Sequence, residues 1–415
     1  MSDVEQIAKA AKAAGRTLAK IGEHKRTSAL TAIAFALESE RAQILIANKE
    51  DYAEARMNGL AGAMLDRLML DESRIRKMAD AVREISALPD PVGQTVKEWT
   101  RPNGLRVAKV RIPLGAIVII YESRPNVTSD AAALCLRSGN AVVLRGGSEA
   151  FRSNRAIARA IGHGLEAVGV PSTAVQFLPS TDRDVMRELL QQDGELDLVI
   201  PRGGEALIRF VAEHSRIPVI KHYRGNCHVF VERTAPEQMA LKICYNSKVQ
   251  RPGVCNAAET ILIDDAIAST FLPKLAAELG RAGVELRGDE RARQIVPELS
   301  VATAEDWDAE YLDLICAVGV VDGIDGALKH IERHSSSHTE AIVTSDDKIA
   351  ERFVSEVGSS TVLINASTRF ADGSELGLGA EIGVSTTRLH AYGPMGAEEL
   401  TTTKFVVHGT GQLRQ

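Results

Sequence analysis

The chain has 415 residues and a formal net charge of −6, with 45% of its residues hydrophobic and only 4% aromatic. That length exceeds one ordinary core and predicts two domains, and the acidic balance leaves no basic footprint for nucleic acid. The start, MSDVEQIAKAAKAAGRTLAK, has no apolar core of the secretory kind, and no stretch approaches the ~18 uninterrupted apolar residues of a membrane span.

From Val4 to about Leu88, apolar residues recur every three and four positions with charges between them, which predicts a helical layer. VKEWTRPNGLRVAKVRIP follows, with two alternating runs about Pro102-Asn103-Gly104. This predicts a hairpin over about 97–112, marginal alone and expected to pack as an oligomerisation element. From Gly115 the rhythm becomes strand, turn and helix: GAIVII, NAVVL, AVQFL and LDLVI are short apolar runs suited to a parallel sheet buried on both faces. The expected fold class is therefore α/β, with a Rossmann-type dinucleotide-binding domain over 1–225. CHVFVE, ETILIDD, LICAVGVV and EAIVTS predict a second α/β domain over 226–395, the catalytic one. The ending, TTKFVVHGTGQLRQ, alternates weakly and predicts a tail over 396–415 that adds a strand to another subunit.

Two turns echo each other, AVVLRGGSEAFRSN and LVIPRGGEALIRF, each a strand, then Arg-Gly-Gly, then a helix. Glycines let a backbone approach a ligand, and helix N–H groups attract anions. Arg145, Gly146 and Gly147, and Arg202, Gly203 and Gly204, are thus candidates for a phosphate-bearing cofactor, or else tight βα turns with solvated arginines. Neither turn is a full G-x-G-x-x-G or P-loop.

Five cysteines at irregular spacings fit a reducing cytoplasm and form no C-x-x-C pair. Cys135, Cys227, Cys244 and Cys316 lie in apolar or helical contexts and read as small core residues. Cys255 differs. NSKVQRPGVCNAAET presents it after a Pro-Gly corner with Lys248 and Arg251 nearby, a loop setting in which cations or a backbone dipole raise the thiolate share. HIERHSSSH spaces His330, His334 and His338 every four residues, but Ser-Ser-Ser is a poor helix interior, so the helix is expected to stop near His334 and no metal is assigned. Ser335, Ser336 and His338 are instead candidates for a polar loop that binds substrate, the alternative being a solvated loop. Arg124, in ESRPN, either clamps a substrate anion or pins its own loop.

A βαβ unit with an Asn-containing loop, an Arg-Gly-Gly turn, a loop cysteine and a later acid resembles the aldehyde dehydrogenase superfamily. VDGIDGALKHIERHSSSHTEAI, YESRPNVTSDAAALCLRSGNAVVLRGGSEA and RLHAYGPMGAEELTTTKF resemble its gamma-glutamyl phosphate reductase family over essentially the whole chain. The resemblance implies NADPH-dependent reduction of L-glutamyl 5-phosphate to glutamate 5-semialdehyde and phosphate, in proline biosynthesis. It places the nucleophile at Cys255 and an amide oxyanion donor at Asn126. Arg145 falls where relatives carry a lysine on the adenosine ribose, and Ser148 where NAD-preferring relatives carry a glutamate that would repel a 2′-phosphate, so NADP(H) is expected. Glu310 resembles the acid that holds the nicotinamide ribose.

Where hydrolytic relatives carry a water-activating glutamate, this chain has Lys221, His222 and Tyr223, which suits a thioester that should not be hydrolysed. Arg251 joins Arg124 among the substrate-binding candidates. The competing readings are another acylating or hydrolytic aldehyde dehydrogenase, and a silent relative that binds nucleotide without chemistry. Expected partners are a second copy of the chain and glutamate 5-kinase, which would hand over a labile acyl phosphate.

Overall fold

The computed structural model describes residues 2–60 and 62–414. It divides into two compact units. One comprises the chain up to Lys221 with Leu378–Gly383 and the residues from Met395 onward, and the other is His222–Gly377 with Val384–Pro394.

The first unit opens with the helices Asp3–Leu18, Glu23–Ser39, Arg41–Met57, Gly62–Leu68 and Glu72–Ala87. Ser2 and Asp71 cap two of them by accepting the N–H groups of Glu5 and Arg74. A four-stranded parallel sheet runs in the order Val175–Phe177, Ala141–Arg145, Ala116–Tyr121, Leu198–Arg202. Every residue of Ala116–Tyr121 and Ala141–Arg145 is buried, as continuous apolar runs require. The register pairs Ile120 with Arg145 and Tyr121 with Arg202, so both Arg-Gly-Gly turns leave the carboxyl end of this sheet, where open α/β sheets bind ligands.

The hairpin forms from Thr95–Thr100 and Arg106–Pro113. The tail finds one neighbour within its own chain. Thr401–His408 pairs antiparallel with Arg106–Pro113 of its own chain, Lys404 opposite Val110, and completes a three-stranded sheet. Its partner edge is supplied within the chain, and Asn140 Nδ2 holds the approach by donating to the Leu400 carbonyl at 2.8 Å.

The second unit is built on a seven-stranded sheet in the order Ser300–Val301, Glu285–Gly288, Ile315–Val321, Ala258–Asp264, Cys227–Val231, Thr339–Val343, Thr361–Ile364, with every recorded pairing parallel. Val229, Ile261, Phe271, Leu275 and Val318 are among its core residues. The helix Gly323–His334 stops where Ser335 turns extended, so His338 lies beyond it and the three spaced histidines share no helix face. No helix among the described residues is long and apolar enough to cross a membrane.

Candidate active site

In the second unit the helix Glu237–Val249 ends just before Arg251-Pro252, because proline restricts the preceding residue and cannot donate to a continuing helix. A turn closed by the Ala257 N–H on the Val254 carbonyl at 3.0 Å carries Cys255 into the central strand Ala258–Asp264. Cys255 is half-buried, whereas the other four cysteines are buried. Burial pushes the thiols of Cys135, Cys227 and Cys244 well up and that of Cys316 up to about 12, so those four are poor nucleophiles.

The backbone of Cys255 is gripped from two sides. A Cβ on Gly225 would stand 2.1 Å from the Cys255 carbonyl oxygen and 2.6 Å from its Cα, so only glycine fits there. Cys227 Sγ donates to the same carbonyl at 3.1 Å and lies 3.7 Å from His338 Nδ1, which is itself 2.8 Å from the Thr339 hydroxyl. The His222 ring is 6.1 Å from that of His338, centroid to centroid. The Asn226 N–H donates to Ser336 Oγ at 2.9 Å, and the Asn226 side chain donates to the carbonyls of Trp307 and His334. Ser335 donates to Glu340, whose other oxygen accepts from the backbone N–H of the fully buried His228 at 2.9 Å. The serine-histidine segment thus divides its hydrogen bonds between the shelf that backs Cys255, through Asn226 and Cys227, and the residues Ser359 and Ser360.

Lys248 departs from expectation. It is fully buried and paired with Glu259 at 2.5 Å, so its charge is met by a carboxylate. Burial pushes the Glu259 carboxyl up to about 7 against the pull of Lys248. The expected dipole has the wrong sign: the helix end preceding Cys255 is a C-terminus, which disfavours a thiolate. Positive charge comes instead from Arg251, exposed at the helix end, and from Arg369, half-buried and close enough to interact with both Arg251 and Cys255. Glu310 is half-buried in the segment before Leu312, whose N–H reaches Glu259 at 3.4 Å.

In the first unit, Asn126 opens the helix Asn126–Arg137, is exposed, and donates from Nδ2 to Asp130 at 2.9 Å. Burial pushes the Asp130 carboxyl up to about 6, with Asn126 and Ser129 opposing the rise. Arg124 is half-buried in the preceding loop. At the first Arg-Gly-Gly turn Arg145 is buried and donates to the Thr181 carbonyl at 2.9 Å. Cβ atoms on Gly146 and Gly147 would meet Asn154 at 2.0 Å and Glu149 at 2.2 Å. The Glu149 carboxylate accepts from Ser123, and Ser148 is exposed. At the second turn Glu122 accepts the Gly204 N–H at 2.9 Å, and a Cβ on Gly203 would stand 2.3 Å from that carboxylate. Two acids therefore already brace the turns that the sequence offers to phosphate, while nothing lies within 4 Å of the place a Cβ on Gly204 would take.

Sequence reasoning passed over Gly225, Cys227, Glu259, Asp130 and Arg369 in these roles. Gly225 alone had a local signal, as the glycine of RGNC before a strand.

The model of the aldehyde dehydrogenase family matches residues 1–309. A gamma-glutamyl phosphate reductase of Geobacter metallireducens is 57% identical over 412 residues, covering 99% of each chain. The crystal structure of a gamma-glutamyl phosphate reductase from Thermotoga maritima superposes with a TM-score of 0.98 at 45% identity, covering 100% of both chains. An acetylating aldehyde dehydrogenase from Geobacillus thermoglucosidasius shares the fold, with a TM-score of 0.71 at 18% identity over 100% of this chain and 98% of its own.

Proposed function

Because the chain belongs to the aldehyde dehydrogenase family and, within it, to the gamma-glutamyl phosphate reductases, we propose that it reduces L-glutamyl 5-phosphate with NADPH through a thioester on Cys255. It is an oxidoreductase of proline biosynthesis that uses a nicotinamide cofactor. The observation that carries the thioester is the contrast among the thiols: one half-buried cysteine on a braced loop beside two arginines, against four sealed in the core.

The Cys255 thiolate attacks the γ-carbonyl, the C–O bond to phosphate breaks, and phosphate leaves with the electron pair. The nicotinamide cofactor, when bound, supplies the hydride that takes the thioester carbonyl to a thiohemiacetal. That species then expels the thiolate as the aldehyde forms. Each addition develops an oxyanion, to which the Cys255 N–H and the Asn126 amide are assigned as donors, each worth about 10²–10³ in rate. With Lys221, His222 and Tyr223 in place of a water-activating carboxylate, the thioester is spared hydrolysis.

Arg145, Gly146, Gly147 and Ser148, with Gly203, Gly204 and Glu310, are assigned to the cofactor. Ser148 is exposed at the helix entry while the neighbouring Glu149 is turned onto Ser123, an arrangement that leaves a 2′-phosphate unopposed at that position and favours NADPH. Among the substrate candidates Arg124 and Arg251, at loop positions, remain assigned to anionic groups. Ser335, Ser336 and His338 act on substrate through the shelf they hold. Val96, Phe405 and Val407, exposed on the three-stranded sheet, support assembly with a second copy; a monomer by light scattering would remove that element. Hand-over from glutamate 5-kinase fits a labile substrate, and free equilibration of the acyl phosphate in a coupled assay would argue against it.

The test runs the reaction backwards, with glutamate 5-semialdehyde, NADP⁺ and phosphate. NADPH formation should require phosphate and vanish in Cys255→Ala. Formation without phosphate would mean a hydrolytic enzyme, and an active Cys255→Ala would dismiss the thioester.

A further inference from the structure

Arg369 sits on a short segment that the second unit fastens to the nucleophile loop at several points. Ser367 caps the turn Thr368–Phe370 and lies 3.0 Å from Ser247, which also accepts the Thr368 N–H. Arg369 Nε donates to Gln250 Oε1 at 2.8 Å, one residue before Arg251. Asn256, next to Cys255, donates from Nδ2 to the Ala371 carbonyl at 3.0 Å. These bonds hold a half-buried guanidinium beside Arg251, where burial and then the like charge both disfavour ionisation, and Asp372, Cys255 and Glu375 offset only part of that. Keeping a half-buried guanidinium charged beside an exposed one of like sign is costly, and an arriving anion relieves that cost.

A second, independent observation comes from the same corner. Asn256 Oδ1 and Thr368 Oγ1 are buried without a hydrogen-bond partner, on residues 5% and 0% exposed. Such orphans are rare in native proteins and mark places where a ligand or water completes the bonding. Asn256 follows Cys255 in the chain and Thr368 precedes Arg369, so both unmet polar atoms lie on the segments that carry the thiol and the guanidinium.

We infer that Arg251 and Arg369 form the anion-recognising subsite next to the nucleophile, taking the phosphoryl or the α-carboxylate group of the substrate in charge-assisted hydrogen bonds. The subsite rests on Cys255 as the reacting thiol. Arg369 is thereby a specificity residue that the sequence did not offer.

The reverse assay tests it with Arg369→Gln and Arg369→Lys. Losing a hydrogen bond to a charged group should raise one Michaelis constant by about 10- to 100-fold in the glutamine variant and less in the lysine variant, with kcat changed far less than KM. A higher KM for phosphate assigns the phosphoryl group. A higher KM for glutamate 5-semialdehyde, with loss of preference over 4-aminobutanal, which lacks the carboxylate, assigns that group. Calorimetric titration of phosphate and of glutamate into Cys255→Ser protein, with and without Arg369→Gln, reads the same loss without turnover. If a folded Arg369→Gln protein keeps both Michaelis constants and both affinities, or loses only kcat, the subsite is overturned. Wild-type turnover in Cys255→Ala would instead overturn the thioester on which it rests.

Discussion

The two parallel sheets carry their candidate functional residues at opposite ends. In the first unit Ala116–Tyr121 and Ala141–Arg145 are apolar until their last residues, Tyr121 and Arg145. In the second, Cys227–Val231, Ala258–Asp264 and Thr339–Val343 bury His228, Glu259, Thr260 and Glu340 within a residue or two of their starts. The first sheet follows the general rule that open α/β sheets meet ligands at the carboxyl ends of strands, where helix N-termini and glycine turns supply N–H groups. The second presents its reactive loop at an amino end, where the adjoining helix presents its negative C-terminal pole. There a thiolate needs side-chain cations, and the loop needs buried polar groups to fix it. One region offers backbone groups at its candidate site, the other a thiol on a loop propped by side chains.

The sharpest way to break this comparison is Gly225→Ala. If bracing of the loop is what makes Cys255 effective, a methyl pressed into its backbone should cost about 100-fold in kcat, the usual scale for a reacting group displaced by about an ångström, while NADPH binding measured by fluorescence stays intact. A wild-type kcat would mean that the close approach is incidental.

Glu259→Gln comes next, for stability. It puts a neutral isostere beside Lys248 and should change stability in urea unfolding little near pH 5, whereas Glu259→Leu, which leaves Lys248 buried without an acceptor, should cost about 3–5 kcal/mol. The sign with pH follows from the raised carboxyl: between the ordinary value of 4.5 and about 7, the folded chain holds a proton that the unfolded chain has released. This group's contribution to stability therefore falls as pH rises through that window and is level above it. Glu259→Gln should flatten that portion of the stability curve.

The smallest effect tests the backbone-recognition side. Ser148→Glu, at an exposed position, should weaken NADPH relative to NADH by about tenfold through repulsion of the 2′-phosphate, read as the ratio of kcat/KM for the two cofactors. An unchanged ratio would move cofactor discrimination away from that turn.

The α/β alternation, the helical start and the hairpin at Asn103 were legible because each depends on local periodicity or turn chemistry, which single residues report. The turn that carries Cys255 was legible because its Pro-Gly corner is contiguous with it. Lys248 misled for the opposite reason: its charge is near Cys255 in sequence, but the partner that neutralises it, Glu259, faces it only once strand and helix have packed. Arg369 stayed hidden because more than a hundred residues separate it from Gln250 and Arg251. The tail's neighbour within the chain, Arg106–Pro113, stayed hidden similarly. Alternation shows that a segment can be a strand, and nothing in it says which edge it will find.

The pairing of Thr401–His408 with Arg106–Pro113 also sets an order of events during synthesis. Most of the first unit is made early, yet its three-stranded sheet is completed only by Thr401–His408, which follows the second unit in the chain. Until then Arg106–Pro113 waits as an open edge, its peptide groups available to any passing β-strand. A chain lacking Thr401–His408 is thus aggregation-prone by construction, because the sheet that the hairpin began is left with its edge unpaired.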